Sequence, residues 1–452
     1  MSELAFLSVA NEAPGLTSRG MSLRAPRTLA DTGLSQDLLC DLAARLLLRA
    51  GRCSLKEIAS GVRLPHSVVG EVLSFLRSQQ LVDLVANSGL EINAEYQLTA
   101  AGQHFAAEAF SRCQYIGPAP VSYAAYCDQV NRHSLRHVTI NAAYVRKAFQ
   151  DLVVPPDVVD QMGAAMNSGR AILIYGPAGS GKTYLAEHLA ALQPGNIPVP
   201  YAITVSGEII QMFDPLVHEA RSAEYDSNLV RSDDDVRWQW CRRPVVIAGG
   251  ELTLQMLDLQ FDPATRYYQA PPHLKANGGV FVVDDLGRQL VSPRDLMNRW
   301  IVPLDRSRDY LSLHTGFKFA VPFEMTVMFS TNLKPAEIAD EAFLRRFGYK
   351  VYLGPLDLAS YRQVFADACR SMDVEFDAEG FNWLIEHRHR PEKRALLACY
   401  PRDLVGRVSD FAEYYGHPAR TTVDALTKAW TTYFTTSGAV LIDGFTDITN
   451  RG

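Results

Sequence analysis

The stretch Ala171-Ile-Leu-Ile-Tyr175, continuing as Gly176-Pro177-Ala178-Gly179-Ser180-Gly181-Lys182-Thr183, decides the fold of this 452-residue chain. The apolar run reads as a short buried strand, and Tyr184 to Ala191 beyond the loop carry a helical pattern. A glycine-rich loop ending in Lys-Thr between a strand and a helix is the setting in which this motif cradles phosphates. Glycines let backbone N–H groups converge on the anion, and the helix N-terminus adds its positive dipole end. Lys182 is placed to reach the β- and γ-phosphates, and the Thr183 hydroxyl to bind Mg²⁺. A surface turn before a helix is the plain alternative; the strand in front and the Lys-Thr pair behind argue against it. The chain is read as binding ATP or GTP.

Downstream, Val280-Phe-Val-Val283 is a second apolar strand, ending in Asp284-Asp285. That layout suits Asp284 to holding Mg²⁺ through water and Asp285 to polarising an attacking water. A turn or helix cap uses the same residues, but without a phosphate loop upstream. Met325-Thr-Val-Met-Phe329-Ser-Thr-Asn332 predicts a third strand beside the second, aiming the Asn332 amide at the γ-phosphate; an Asn that starts a turn is the alternative. Phe343-Leu-Arg345-Arg346-Phe347-Gly348 offers two arginines. One reading is a structural ion pair, the other a finger that neutralises transition-state charge from a neighbouring subunit. Arg402, in Tyr400-Pro-Arg402-Asp403, opens a predicted helix from which it can touch nucleotide in cis, although exposed arginines at helix starts are common.

In this order the elements resemble the AAA+ ATPase superfamily over roughly residues 140–435. The resemblance implies ATP and Mg²⁺ as cofactors, ATP hydrolysis, and a ring homo-oligomer, a hexamer in form. It makes Asn332 sensor 1, Arg346 (in preference to Arg345) the arginine finger, and Arg402 sensor 2. Arg346-Phe-Gly348 and Pro401-Arg402 are similar to the corresponding places in Holliday-junction branch-migration motors. Pro156 to Thr183 and Leu274 to Asp285 are similar to MoxR-type chaperones. The segment Tyr310 to Phe323, alternating around Thr315-Gly316, resembles the hairpin that such proteins insert before sensor 1; a plain surface hairpin has the same pattern. One departure stands out. The family usually carries Asp-Glu where this chain has Asp284-Asp285, a carboxylate one methylene shorter, which implies slow hydrolysis.

The rest of the chain divides around this core. Residues 1–33 lack periodicity and read as a flexible arm. Residues 34–112 predict three helices and a β-hairpin, resembling a winged helix. The first helix carries Leu38, Leu42 and Leu46, with Leu39 and Leu47 beside them, and stops at Gly51; the second opens with Ser54 and Glu57 at capping-box spacing; the third follows Pro65. Strands at 81–85 and 91–98 are expected around a turn at Asn87-Ser-Gly89, then a helix from Ala101 to Phe110. Residues 113–138, with Gly117, Pro118 and Pro120, read as a linker. Residues 139–355 read as the α/β nucleotide-binding domain, and 356–452 as an α-helical lid and tail, with helices near 357–371, 377–388, 402–414 and 422–434. Glu219 to Arg243 is longer than a minimal core needs; its acidic run Asp233-Asp-Asp235 reads most simply as a solvated loop, with a pore lining or a grip on a partner as alternatives.

Composition sets outer bounds. A net charge of −6 gives no general attraction to nucleic acid or anionic lipid. No apolar stretch reaches the roughly 20 residues needed to span a bilayer. The start of the chain lacks a signal-peptide pattern, and seven scattered cysteines without C-x-x-C spacing read as reduced thiols, so the expected location is cytoplasmic. The leading expectation is remodelling of a protein client through the N-terminal unit or pore loops. A DNA-directed motor or regulator is the alternative, and a nucleotide-gated switch the third reading. Residues 35–110 carry six basic against eight acidic side chains, which favours protein over nucleic acid as the partner of that unit.

Overall fold

The computed structural model of the chain describes residues 23–86, 91–220 and 234–434. Its centre is a five-stranded sheet, wholly parallel, in spatial order Val245–Ala248, Val280–Val283, Thr326–Thr331, Ala171–Tyr175 and Phe347–Tyr352. Such strands are apolar on both faces because helices cover both. Ile172, Ile174, Val280, Val282 and Met328 pack with the helices Ala142–Ala148, Pro156–Ser168 and Lys182–Ala191. Their alternate neighbours Leu173, Phe281, Val283, Val327 and Phe329 pack around Trp300 of the helix Pro293–Arg306. The strands at 171–175 and 280–283 stand where the sequence put them; the third runs from Thr326 to Thr331, starting one residue later than expected and ending two later. Asn332 follows it directly, and this strand does lie beside Val280–Val283. Parallel strands share one C-terminal edge, the place where open α/β sheets bind ligands.

A second five-stranded sheet, which no sequence pattern announced, gathers Val121–Ser122, Ala202–Val205, Glu208–Gln211, Tyr267–Gln269 and Gln260–Asp262 in that order. The supposed linker at 113–138 is therefore folded. It supplies the strand Val121–Ser122 and the helix Tyr123–Arg132, and Tyr115, Ala119, Val121 and Tyr126 are buried. The acidic run is likewise only partly a solvated loop. Asp235 is buried in a 2.8 Å ion pair with Arg237, whose guanidinium also donates to the Thr32 and Pro120 carbonyls. Asp233, like the rest of 221–233, lies outside the described residues. Trp238–Arg242 pairs antiparallel with Asn196–Pro200. The expected hairpin is present, with Arg308–Ser312 antiparallel to Lys318–Pro322.

The N-terminal unit has helices Gln36–Ala50, Leu55–Val62 and His66–Ser78, then Ala100–Arg112. Ser54 and Glu57 form the capping box that the spacing predicted. The strands are Val82–Ala86 and Glu95–Leu98, joined by an unforeseen third, Arg52–Ser54; the predicted turn at 87–89 lies outside the described residues. The described part of the supposed arm, 23–33, is packed rather than loose, with Thr32 buried and Leu29 against the unit's core. At the other end, helices Leu358–Ser371, Ala378–Leu384, Cys399–Tyr415 and Val423–Tyr433 close around Tyr361, Phe365, Leu404 and Trp430. Residues 435–452 lie outside the description. Among the described residues no helix is long and apolar enough to cross a membrane.

Candidate nucleotide-binding site

The C-terminal edge of the parallel sheet brings the phosphate loop, the paired aspartates and Asn332 together. Gly176 has φ 154°, and a Cβ there would overlap the Leu353 carbonyl. Gly179, at φ 82°, is closed in by the Cys399 side chain, and its carbonyl accepts a 3.0 Å hydrogen bond from the Cys399 backbone. The loop is thus pressed between the end of the last strand and the first turn of the helix Cys399–Tyr415, leaving no room for a side chain at 176 or 179. Ser180 is buried, and its Oγ has no hydrogen-bond partner. An orphaned, buried hydroxyl in the glycine-rich loop that carries Lys182 fits a phosphate group.

Lys182 starts the helix that the sequence placed from Tyr184. The residue is 6% exposed, and its ammonium donates to the Gly176 and Pro177 carbonyls at 3.1 and 2.8 Å and to Asn332 Oδ1 at 2.7 Å. Burial lowers its pKa, while Asp285 and Asp284 pull the other way. The Asn332 amide then donates to Asp285 Oδ1 at 2.7 Å, so one residue bridges the cation and the second aspartate. The Thr183 hydroxyl donates to Asp284 Oδ1 at 2.8 Å. These two oxygens are the pair assigned to Mg²⁺, and they do meet.

The turn after Val283 is unusual. Asp285 holds φ 51°, a left-handed conformation that Asp and Asn tolerate better than longer side chains. This gives a backbone reason for Asp where the resembling family has Glu. Arg288 reaches back to Asp285 at 3.1 Å. Gln289, which sequence reasoning missed, folds the turn around its amide. It donates to the Asp284 carbonyl at 2.7 Å and accepts from the Gly287 backbone at 2.9 Å, with its side chain largely buried. A lone Gln after Asp-Asp-Leu-Gly-Arg carries no sequence signal; only the turn geometry reveals it. Gln289→Ala should lower ATP turnover about 10–100-fold by loosening the aspartates, with KM for ATP little changed. Steady-state phosphate release decides: equal kcat in both proteins would rule the positioning role out.

The arginines are not part of this cluster. Arg346 precedes Phe347, which pairs with Ala171 at the opposite end of the sheet, about 15 Å from the loop by strand rise. Its guanidinium sits 3.0 Å from Asp305, the ion pair that was the plainer expectation. Arg345 pairs with Glu341 at 2.9 Å on the surface. Arg402 lies one turn on from Cys399 and is exposed.

Residues 357–432 match a family model described as a domain of unknown function, DUF8689. No curated protein matches the chain. Among solved structures, NtrX from Brucella abortus in complex with ADP is 13% identical, with a TM-score of 0.39 over 62% of this chain and 56% of that one. The chain thus spans little more than half of that protein. The same protein in complex with ATP is 14% identical, with a TM-score of 0.38 over 67% and 59%. The Thermotoga maritima RuvB Holliday junction branch migration motor is 16% identical, with a TM-score of 0.34 over 66% and 73%. Similarity this low decides neither activity nor partner, which rest on the residues themselves.

Proposed function

We propose that this chain is an ATPase of the AAA+ type that couples ATP binding and hydrolysis to remodelling of a macromolecular client. The observation that carries the reading is the linked set Lys182–Asn332–Asp285 and Thr183–Asp284 at one sheet edge. Lys182 holds the β- and γ-phosphates, and the backbone of 176–183 with the Ser180 hydroxyl wraps them. Thr183 and Asp284 fit a Mg²⁺ ion, which would neutralise phosphate charge when bound. Asp285 takes the proton of the attacking water, and Asn332 fixes that carboxylate relative to the γ-phosphate. Arg402 acts from the lid, in cis.

Arg346 faces away from its own site, so its proposed role as a finger requires a neighbouring copy. The assembly is a ring, a hexamer by family resemblance, and the MoxR-like features favour a protein client met by the winged-helix-like unit 34–112. In this reading 139–355 binds nucleotide, 356–452 forms the lid, and the protein works in the cytoplasm. A DNA-directed motor is the second reading, favoured by the arginines that gather around Arg346.

Subunit mixing tests the assembly. Arg346→Ala chains should bind ATP yet release almost no phosphate, and adding Lys182→Ala chains, which keep the finger, should restore part of the rate. A turnover per chain that stays constant on dilution to a demonstrated monomer contradicts the trans arrangement. Absence of both ATP binding and phosphate release in the wild-type protein contradicts the whole reading.

A further inference from the structure

The starts of the parallel strands, opposite the phosphate loop, border a cleft of about 990 Å³. Five arginines line it: Arg136, Arg170, Arg306, Arg308 and Arg346. Two carboxylates answer them, with Glu324 3.5 Å from Arg136 and Asp305 3.0 Å from Arg346. Arg170, Arg306 and Arg308 make no ion pair among the described residues. The helices Pro156–Ser168 and Pro293–Arg306 end here, and a helix C-terminus favours a cation. That accounts for Arg170 and Arg306 but not for five guanidinium groups around one cavity. Thr326, also on the lining, is 1% exposed, and its Oγ1 has no hydrogen-bond partner.

The hairpin extends this surface. Exposure alternates along Arg308–Ser312, so Arg308 and Tyr310 share the outer face. Tyr310 is 54% exposed, Phe317 at the tip 48%, and Lys318 is exposed opposite Ser312. Cations interleaved with exposed rings are what an unpaired nucleic acid strand uses, phosphates on the guanidinium groups and bases on the rings. An acidic peptide would satisfy the arginines and leave the rings idle.

We propose that the arginine cleft, continued by the outer face of the hairpin 308–322, binds a single strand of nucleic acid. The charge balance of the N-terminal unit does not bear on this, because the contact is made by the core. Nor does the site need nucleotide, and Arg346, the one arginine it shares with the ATPase reading, is left unvaried in its test, so the two readings fail separately.

The test is fluorescence anisotropy of a labelled thymidine oligomer of about 20 nucleotides with the full chain, without nucleotide, from low to moderate salt. Wild type should bind with an affinity that falls steeply with salt. The double reversal Arg170→Glu/Arg308→Glu should weaken binding at least tenfold and flatten the logarithmic salt slope by about 1.4, for two lost phosphate contacts on a single strand. Tyr310→Ala should weaken binding several-fold and leave the slope unchanged, as loss of stacking does. No binding at low salt overturns the proposal, as does wild-type affinity in the reversal variant. Displacement of the oligomer by polyglutamate at equal charge concentration would assign the cleft to an acidic protein instead. If the reversal variant fails to fold, Tyr310→Ala, at an exposed ring, decides the matter alone: unchanged affinity there overturns the proposal.

Discussion

Lys182→Ala should abolish measurable ATP binding while the protein stays folded. The ammonium is the only side-chain cation in the loop 176–183, and it is held by three oxygens, two of them loop carbonyls. Those bonds keep it aimed at the space that the loop encloses, so little ordering cost remains when phosphate replaces them. A charge-assisted hydrogen bond is worth about 1.5–3 kcal/mol. Losing two, to the β- and γ-phosphates, weakens binding by roughly 10²- to 10⁴-fold. Alanine suits the first position of the helix Lys182–Ala191, so the melting temperature should change little. Titration calorimetry at matched Mg²⁺ is the measurement. An affinity within a fewfold of wild type would falsify the assignment of this loop to phosphate.

Asp285→Asn should leave ATP binding intact and cut hydrolysis by about 10²-fold or more, the usual weight of a positioned general base. The substitution is a clean one. Asn accepts the left-handed backbone at φ 51°, and its side-chain oxygen can take the hydrogen bond from Asn332 that the carboxylate now accepts. What disappears is the ability to take a proton, together with the charge that faces Arg288 at 3.1 Å. Asp285→Glu tests the backbone argument from the other side. The longer acid extends reach, but its conformational cost at this φ offsets the gain, so turnover should not rise much above wild type. Phosphate release in Asp285→Asn at the wild-type rate would move the base elsewhere.

Most of this site was legible because its signals are local. Gly176 to Thr183, Val280 to Asp285 and Asn332 each declare a strand end or a loop within ten residues, and the hairpin and lid helices declare themselves by periodicity. The second sheet was not legible. Its strands are two to four residues long, and Val121 finds its partner at Ile203, across the whole phosphate-loop unit. The linker reading failed for a related reason: Pro and Gly mark a chain that turns, not whether the turn is buried, and Tyr115 and Ala119 are. The strand Val245–Ala248 lacked a flanking motif to single it out, and Phe347–Tyr352 begins inside the Arg345-Arg346 motif, which was read for its arginines alone. The positions of Arg346 beside Asp305 and of Gln289 under the aspartates depend on packing between distant segments, which no spacing encodes.

The packing of residues 113–122 has a mechanical consequence. Ala119 donates a 2.7 Å backbone hydrogen bond to Val62, and Ala202 and Ile209 sit inside the N-terminal unit's own core. From that sheet, Tyr267–Gln269 leads through the short helix Pro272–Lys275 straight into Val280–Val283 and its aspartates. The N-terminal unit is therefore the handle of a lever, not a bead on a string. A force applied to it would reach the turn that holds Asp284 and Asp285, the carboxylates proposed here to serve hydrolysis.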